Sequence, residues 1–386
     1  MNQQQYLTIT RPLKLLFVGD SLTPNSSTGP FNVFDCDLSN ENAFVSNYTS
    51  VSSSIGPTKE QKIAWIFISN GLEEYLYSAN SIMPDYIFIP ISVGDGVTAK
   101  TKEYIGIILT LNRPVVILLS KTELTKESEY AATLKIIETI VTKWMKKKIA
   151  IISNDNSRIP MEKIVRGMSE GAIVPVVTTS AGGDVQKLRQ MISSLESNQE
   201  PDNKGPCEIW ISKAWNVADG KIACEGIIKT GKLQANKYLR LGPLNNQFYT
   251  IIVKRISTYK DNVESAETGN RILFEATLLE EKKLRMEGQR MIAVEKVDKK
   301  RLTREFDAEI AVLTEESIKV DQTITIFSGN IHRTAKIEDT EKEELTQGDR
   351  GIIRCKLDTL EWMKVGEKVF LVSNGVRGLG VITKTY

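Results

Sequence analysis

A chain of 386 residues is long enough for two or three domains, each with its own buried core. Hydrophobic residues make up 41% of the sequence and charged residues 25%, which excludes a disordered, collagen-like or low-complexity chain. The 50 Lys and Arg residues against 48 Asp and Glu residues give a formal charge of +2, so any attraction to nucleic acid must come from local patches.

The first half of the sequence alternates short β-branched runs with helical stretches. Residues 98–112 and 127–148 carry apolar side chains at spacings of three and four, which is typical of amphipathic helices. This alternation predicts a parallel sheet covered on both faces. Six runs have the composition of buried strands: Leu13–Gly19, Lys62–Ser69, Asp85–Ser92, Pro114–Ser120, Lys147–Ser153 and Ala172–Ser180.

A polar segment with two prolines and a glycine, Ser197–Pro206, separates this half from a different pattern. After it come short alternating strands punctuated by Gly, Asn and Pro, which predict a small antiparallel barrel and then a second one. The predicted organisation is an α/β domain over residues 1–198, a linker over 199–206, and β-barrels over 207–298 and 299–386.

Cysteine and histidine are too sparse for most metal and nucleophilic chemistry. The four cysteines are far apart with no C-x-x-C pair, and His332 is the only histidine, so neither a zinc site nor a disulfide framework is expected. The apolar runs fall well short of the roughly 18 residues of a membrane span, and the first ten residues lack a basic region before an apolar core. We predict a cytoplasmic protein that binds no metal ion, no membrane and no DNA.

The first predicted strand ends at a partial phosphate-binding loop. Residues 19–26 open with Gly19 and close with Ser26, as in G-x-x-x-x-G-K-[ST], but Pro24 replaces the second glycine and Asn25 replaces the lysine. Pro24 removes a backbone amide donor, and Asn25 removes the positive charge that neutralises the phosphates. The usual route to triphosphate binding is therefore lost.

Further weak motifs follow in a fixed order. Residues 68–75 read Ile-Ser-Asn-Gly-Leu-Glu-Glu-Tyr, residues 120–123 read Ser-Lys-Thr-Glu, and Ser180-Ala181 ends the first half. In the second half come glycine-punctuated stretches such as SGNIHRTAKI, TQGDRG and NGVRGLGVITK. In this order and at these spacings, the chain resembles translational GTPases of the EF-Tu class, and within them the GTP-binding protein 1 and 2 group.

The resemblance implies the fold: an α/β GTPase-like domain of the P-loop type with a mostly parallel sheet, followed by two β-barrels. It also matches residues 68–75 with D-x-x-G-H-E-K-Y, residues 120–123 with the guanine motif N/T-K-x-D, and Ser180-Ala181 with the last guanine contact. The vestigial nucleotide site implied by these matches comprises Gly19, Asp20, Ser26, Gly71, Ser120, Lys121, Glu123, Ser180 and Ala181.

The departures from the family pattern concern its chemistry. Ile68 stands where the family has an aspartate that helps to hold magnesium, and Leu72 stands where it has the histidine that positions the attacking water. With Asn25 in place of the lysine, three charged or proton-carrying groups are replaced, and apolar side chains occupy a place that otherwise holds an ion and water. The resemblance therefore implies a pseudo-GTPase with weak or absent GTP and GDP binding and no bound magnesium.

The family also implies partners, namely tRNA and the ribosome. The candidate RNA-contacting residues are His332 and Arg333 in the Gly329–Thr334 turn and Arg377 in the Gly375–Gly380 turn, since glycine turns let a phosphate approach the backbone beside a cation. Solvated surface turns are the alternative interpretation of both.

Two other functions stay open on the sequence alone. One is a structural or interaction protein that reuses the three-domain body without nucleotide or tRNA. The other is a working GTPase with an unorthodox site.

Overall fold

The computed structural model describes fifteen stretches of the chain. They are residues 13–18, 47–52, 61–69, 84–111, 113–120, 125–152, 160–178, 188, 191–192, 194–196, 202–218, 220–258, 261–280, 286 and 290–386. The chain forms two compact units, one of residues 1–79 and 83–200 and the other of residues 80–82 and 201–386. The division falls beside the predicted linker.

The first unit contains a seven-stranded sheet. Its strand order is β2-β3-β1-β4-β5-β7-β6, and every neighbouring pair is parallel except β2 and β3. The strands are β1 (Leu13–Val18), β2 (Asn47–Ser52), β3 (Gln61–Ser69), β4 (Tyr86–Ser92), β5 (Val115–Ser120), β6 (Lys148–Ile152) and β7 (Ile173–Thr178). The six predicted strands are confirmed, and β2 is an additional antiparallel edge strand.

Three helices are described in this unit: α1 (Ala99–Leu111), α2 (Glu127–Thr139) and α3 (Met161–Ser169). The first two confirm the predicted amphipathic stretches, although α2 passes into a π-helical turn at Ile140–Trp144 rather than continuing to 148. Lys146 has a φ of 55°, a left-handed conformation that ends the helical segment before β6 begins. No described helix is long and apolar enough to cross a membrane.

One core cluster of the first unit lies between the sheet and α3. Phe17 of β1 stacks on Phe88 of β4, with ring centroids 4.7 Å apart. Ile164 and Met168 of α3 are four residues apart, so they share one face of the helix, and both join this core cluster. Burial of such side chains contributes about 1.5–3 kcal/mol each, which fixes the sheet that carries the predicted nucleotide site.

The second unit begins with an antiparallel barrel in the strand order β11-β16-β8-β9-β15-β12, which the β11–β12 pairing closes. Its inward side chains alternate along each strand, as Ile222 and Cys224 do on β9. The strands of this part of the chain are β8 (Glu208–Ala218), β9 (Lys221–Thr230), β10 (Lys232–Gln234), β11 (Tyr238–Leu244), β12 (Gln247–Thr258), β13 (Asp261–Val263), β14 (Ser265–Glu267), β15 (Arg271–Leu278) and β16 (Met291–Val294).

A second closed barrel follows in the order β17-β22-β20-β19-β23-β24. Its strands and those of a small two-stranded sheet are β17 (Leu302–Val312), β18 (Ile318–Lys319), β19 (Thr323–Ser328), β20 (Ile331–Thr340), β21 (Glu344–Leu345), β22 (Arg350–Trp362), β23 (Lys368–Val372) and β24 (Arg377–Thr385). A mostly parallel sheet followed by two six-stranded barrels confirms the predicted fold class.

Candidate functional site

The carboxyl ends of five parallel strands meet at one edge of the first sheet. Val18 at the end of β1 pairs with Ser69 at the end of β3, and Ser92 at the end of β4 pairs with Ser120 at the end of β5. Thr178, at the end of β7, is paired with Leu119 of β5. Ligands of open α/β sheets bind in the crevice outside this edge, so the fold places a candidate nucleotide site here.

Only one of the predicted nucleotide-site residues is described. Ser120 ends β5 and is half-buried, and its carbonyl oxygen accepts a hydrogen bond from the Val93 backbone amide at 3.1 Å. Ile68 lies on β3 one residue before the strand ends, with its backbone opposite Phe17. The other positions lie outside the described residues: Gly19, Asp20, Ser26, Gly71, Leu72, Lys121, Glu123, Ser180 and Ala181.

The loop after β4 packs beside Ser120 and leads directly into α1. The Gly96 amide donates to the Ser92 carbonyl oxygen at 2.9 Å, and Gly96 has a φ of 65°, which glycine adopts without a steric penalty. Thr98 is the N-cap of α1, because its hydroxyl oxygen accepts a hydrogen bond from the Thr101 amide at 3.1 Å. This hydrogen-bonded loop is therefore held in one conformation at the sheet edge.

A cavity of about 300 Å³ opens at the same edge, and sequence analysis missed it. The described residues that line it are Thr125, Glu127, Tyr130 and Thr178. They follow the guanine-motif position at 120–123 or precede Ser180-Ala181, and this proximity in sequence was the only available signal. Burial raises the pKa of Tyr130, so its hydroxyl stays protonated and can donate a hydrogen bond.

The chemistry of this lining suits a neutral polar ring better than a phosphate. The lining has three hydroxyl groups, of which that of Thr178 already donates to the Ile152 carbonyl oxygen and can only accept, and Glu127 supplies a carboxylate acceptor. No lysine or arginine is among the described residues of the lining. The volume is at the lower end of the range for small-molecule pockets, about 300–1,000 Å³.

The predicted RNA-contacting residues lie on the second barrel, and each has a partner within it. The His332 ring stacks on Phe327, with centroids 4.4 Å apart and planes at 18°. The Arg333 Nε donates to the Glu361 Oε1 at 2.6 Å. Burial raises the pKa of Glu361, and the charge of the nearby Arg333 guanidinium opposes that rise.

The third predicted contact, Arg377, stabilises its own turn. Its guanidinium donates to the carbonyl oxygens of Ser373 at 2.7 Å and Val376 at 2.9 Å. This turn adjoins the start of β19, where the Ser373 hydroxyl donates to the Thr323 carbonyl oxygen, whereas the turn before His332 follows the end of β19. The barrel therefore does not bring the predicted RNA contacts together.

Comparison with known proteins finds sequence relatives of this chain. No family model matches the chain. Over 336 residues, 84% of this chain, it is 23% identical to GTP-binding protein 1 of Xenopus laevis, and over 325 residues it is 22% identical to GTP-binding protein 2 of Homo sapiens. These similarities support a relationship to the translational GTPase superfamily. It spans about half the length of these curated relatives, 50% and 53%.

Two solved structures match over nearly all of the chain. Elongation factor SelB from Methanococcus maripaludis, in complex with the GTP analogue GPPNHP, has a TM-score of 0.70 and 15% identity, with 98% of this chain and 80% of SelB covered. The S. cerevisiae Ski7 GTPase-like domain, bound to GTP, has a TM-score of 0.70 and 11% identity, with 99% of both chains covered. At these identities the likeness establishes the fold.

The structure also reveals cations on the second barrel that the sequence did not single out. Lys299, Lys300, Arg304 and Lys384 are exposed, make no ion pair with another described residue, and are defined here as the Tyr386 cluster. The chain segments that carry them run side by side, because the Thr385 hydroxyl donates to the Lys300 carbonyl oxygen and the Tyr386 amide donates to the Glu305 carbonyl oxygen.

The Tyr386 ring, which lies beside Lys384, is held in place by hydrogen bonds of its hydroxyl. The Tyr386 hydroxyl donates to the Asp307 Oδ2 at 2.5 Å and accepts a hydrogen bond from Arg354. The Lys384 Nζ lies 4.3 Å from the ring centroid. Exposed cations around an ordered aromatic ring form a surface that suits phosphate and base contacts.

Proposed function

We propose that this chain is a translation-factor-like protein that acts on tRNA or the ribosome without efficient GTP hydrolysis. The observation that carries the proposal is the contrast between a complete three-domain body and the replaced residues of its nucleotide site. The sheet and both barrels are retained, while Ile68 and Leu72 stand at the positions of the family's magnesium-binding aspartate and catalytic histidine.

Weak or absent nucleotide binding is the second part of the proposal. SelB and Ski7 were solved with a GTP analogue and with GTP, so this fold can hold a guanine nucleotide in those proteins. In this chain Asn25 replaces the phosphate-loop lysine, and the described lining of the sheet-edge cavity has a carboxylate but no cation. Both features disfavour a triphosphate, which needs positive charge close to its oxygens.

The Tyr386 cluster is the surface that we propose for RNA. The guanidinium groups of Arg333 and Arg377 are already hydrogen-bonded within the barrel, and redirecting them to a phosphate costs those bonds. The cations of the Tyr386 cluster are exposed and free of described ion pairs, so they can reach phosphates without such a cost.

Reversing two charges of the Tyr386 cluster is expected to weaken RNA binding. In the variant Lys300→Glu/Lys384→Glu, two phosphate-binding cations become anions, so the Kd for tRNA should rise by about tenfold or more at low salt. The slope of log Kd against log salt should fall by roughly two, one for each lost contact. The measurement is filter binding of bulk tRNA over a salt series, with ribosome co-sedimentation in parallel.

A matched control uses two lysines at another part of the same barrel. Lys319→Glu/Lys342→Glu makes the same change in net charge but breaks two exposed ion pairs, with Glu344 and Asp349, which contribute little to stability. It should retain wild-type RNA binding. If the unmodified chain binds neither tRNA nor ribosomes at low ionic strength, the proposed function is wrong. The result would then favour the alternative of a structural or interaction protein.

A further inference from the structure

A buried side chain, Asn330, makes one of the polar links between the two barrels. It lies in the turn between β19 and β20 of the second barrel and is 8% exposed. Its amide nitrogen donates to the carbonyl oxygens of Ile211 at 2.9 Å and Met291 at 2.8 Å, in the first barrel. Ile211 and Met291 are paired across β8 and β16, so one amide group holds two neighbouring strands.

An arginine makes the second polar link between the barrels. Arg301 directly precedes β17 and donates to both carboxylate oxygens of Glu208 on β8, at 2.6 and 3.2 Å. Its guanidinium carbon also lies 4.3 Å from the centroid of the Trp362 ring. Because two nitrogens of the planar guanidinium donate to one carboxylate, the contact is directional and fixes the orientation of one barrel relative to the other.

Between these two links lies a small cavity with hydrogen-bonding groups in its lining. Its volume is about 20 Å³, and Asn330, Arg301 and Trp362 are among the residues that line it. Three buried atoms of these side chains, Asn330 Oδ1, Arg301 Nε and Trp362 Nε1, have no hydrogen-bond partner among the described residues. A buried polar atom costs free energy unless it is hydrogen-bonded, so the cavity favours a ligand that can satisfy them.

We propose that this cavity is a binding site for one structural water molecule, which completes the junction between the barrels. A site needs about 10–15 Å³ to hold one water, which makes about three hydrogen bonds when buried. The water donates to the Asn330 Oδ1 and accepts from the Arg301 Nε and the Trp362 Nε1, so all three atoms gain a partner.

The charges of the lining select a neutral ligand over an ion. Two N–H donors disfavour a metal cation, which needs lone pairs. The lining carries two carboxyl groups, of Glu361 and Glu367, and two guanidinium groups, of Arg290 and Arg301, so its formal charges cancel and favour an ion of neither sign. The water connects Asn330, which makes the amide contact between the barrels, to Arg301, which makes the guanidinium contact. Because the water joins these two contacts, the two barrels should unfold as one cooperative unit.

The direct test is a high-resolution crystal structure of the full unmodified chain. It is expected to show an ordered water within hydrogen-bond distance of at least two of the three named atoms. A dry cavity, or one closed by a rearranged side chain, would overturn the proposal. In solution, the Trp362 indole N–H should show cross-relaxation with a long-lived water, and the Trp362→Phe variant assigns that signal.

Replacing Asn330 tests the junction independently of crystals. Asn330→Asp keeps the size of the side chain and its Oδ1 acceptor, but it replaces the amide nitrogen that donates to two carbonyl oxygens with a second oxygen. Because an oxygen cannot make those two hydrogen bonds, the thermal midpoint of the barrel unit should fall by roughly 4–10 °C. Asn246→Asp is the matched control, because the Asn246 Oδ1 accepts from the Leu360 amide across the same junction and that acceptor is retained. Equal midpoints for the two variants would contradict the role given to Asn330.

Discussion

The purified chain is expected to release phosphate from GTP at least about 100-fold more slowly than an active elongation factor assayed beside it. Loss of one positioned electrostatic group commonly lowers the rate by about 10²–10³-fold. Because the effects of groups that act as a unit are not additive, the loss of one group sets the smallest reduction in rate that we expect. The replaced positions, Asn25, Ile68 and Leu72, remove a lysine, an aspartate and a histidine of the family pattern. The measurement is single-turnover phosphate release with the protein in excess, with and without ribosomes.

Two variants separate the pseudo-GTPase from an unorthodox active site. Leu72→His restores one group only and should change the rate by less than about threefold, because the other two groups remain absent. Glu127→Gln removes the carboxylate in the described lining of the sheet-edge cavity and should leave the background rate unchanged. A wild-type rate in the range of active factors that Glu127→Gln abolishes would establish the unorthodox GTPase instead.

Gly380→Ala is expected to produce the largest loss of stability in the second barrel. Gly380 lies on β24 between Ile310 of β17 and Val369 of β23, and an added Cβ would overlap the Glu309 carbonyl oxygen and lie 2.8 Å from its carbon. Backbone cannot move aside as a side chain can, so the closing pair of strands must separate. We expect a loss of about 3–5 kcal/mol in the free energy of unfolding, measured by urea denaturation.

The control for this change is two residues away on the same strand. A Cβ at Gly378 would meet only the ends of side chains, the Ile310 Cγ2 at 2.9 Å and the Leu371 Cδ1 at 3.3 Å. Those groups can shift rotamer, so Gly378→Ala should cost roughly 1–2 kcal/mol. Equal losses for the two substitutions would show that backbone overlap is not what constrains β24.

Much of the fold followed from local patterns because buried parallel strands are continuous apolar runs. Tyr86–Ser92 and Val115–Ser120 are such runs, and both were predicted from sequence. β2 carries only Tyr48 and Val51 as large apolar residues, too few to indicate a strand, and its place comes from pairing with β3. Helix α3 has only nine residues, which is too short a segment for a helical repeat of apolar residues to be recognised.

The candidate sites were harder to predict because their partners are distant in sequence. Arg333 is a cation beside a glycine turn, which is typical of an RNA contact. Barrel closure, however, brings the Oε1 of Glu361, 28 residues later in the chain, within 2.6 Å of the Arg333 Nε. The Tyr386 cluster joins residues around 300 to residues around 384 through the β17–β24 pairing, which no local pattern reveals. The position of Ser120 at the sheet edge follows from the predicted strand Pro114–Ser120, because strand ends in a parallel sheet share one edge; its role in nucleotide binding stays a prediction.

Calorimetric titration of the full chain with GTP and GDP, with and without magnesium, tests the central claim most directly. If the nucleotide site has lost its lysine, magnesium ligand and histidine, both nucleotides should bind with a Kd weaker than about 100 µM, and magnesium should not strengthen binding. Tighter binding of GTP that strengthens when magnesium is added would contradict the account.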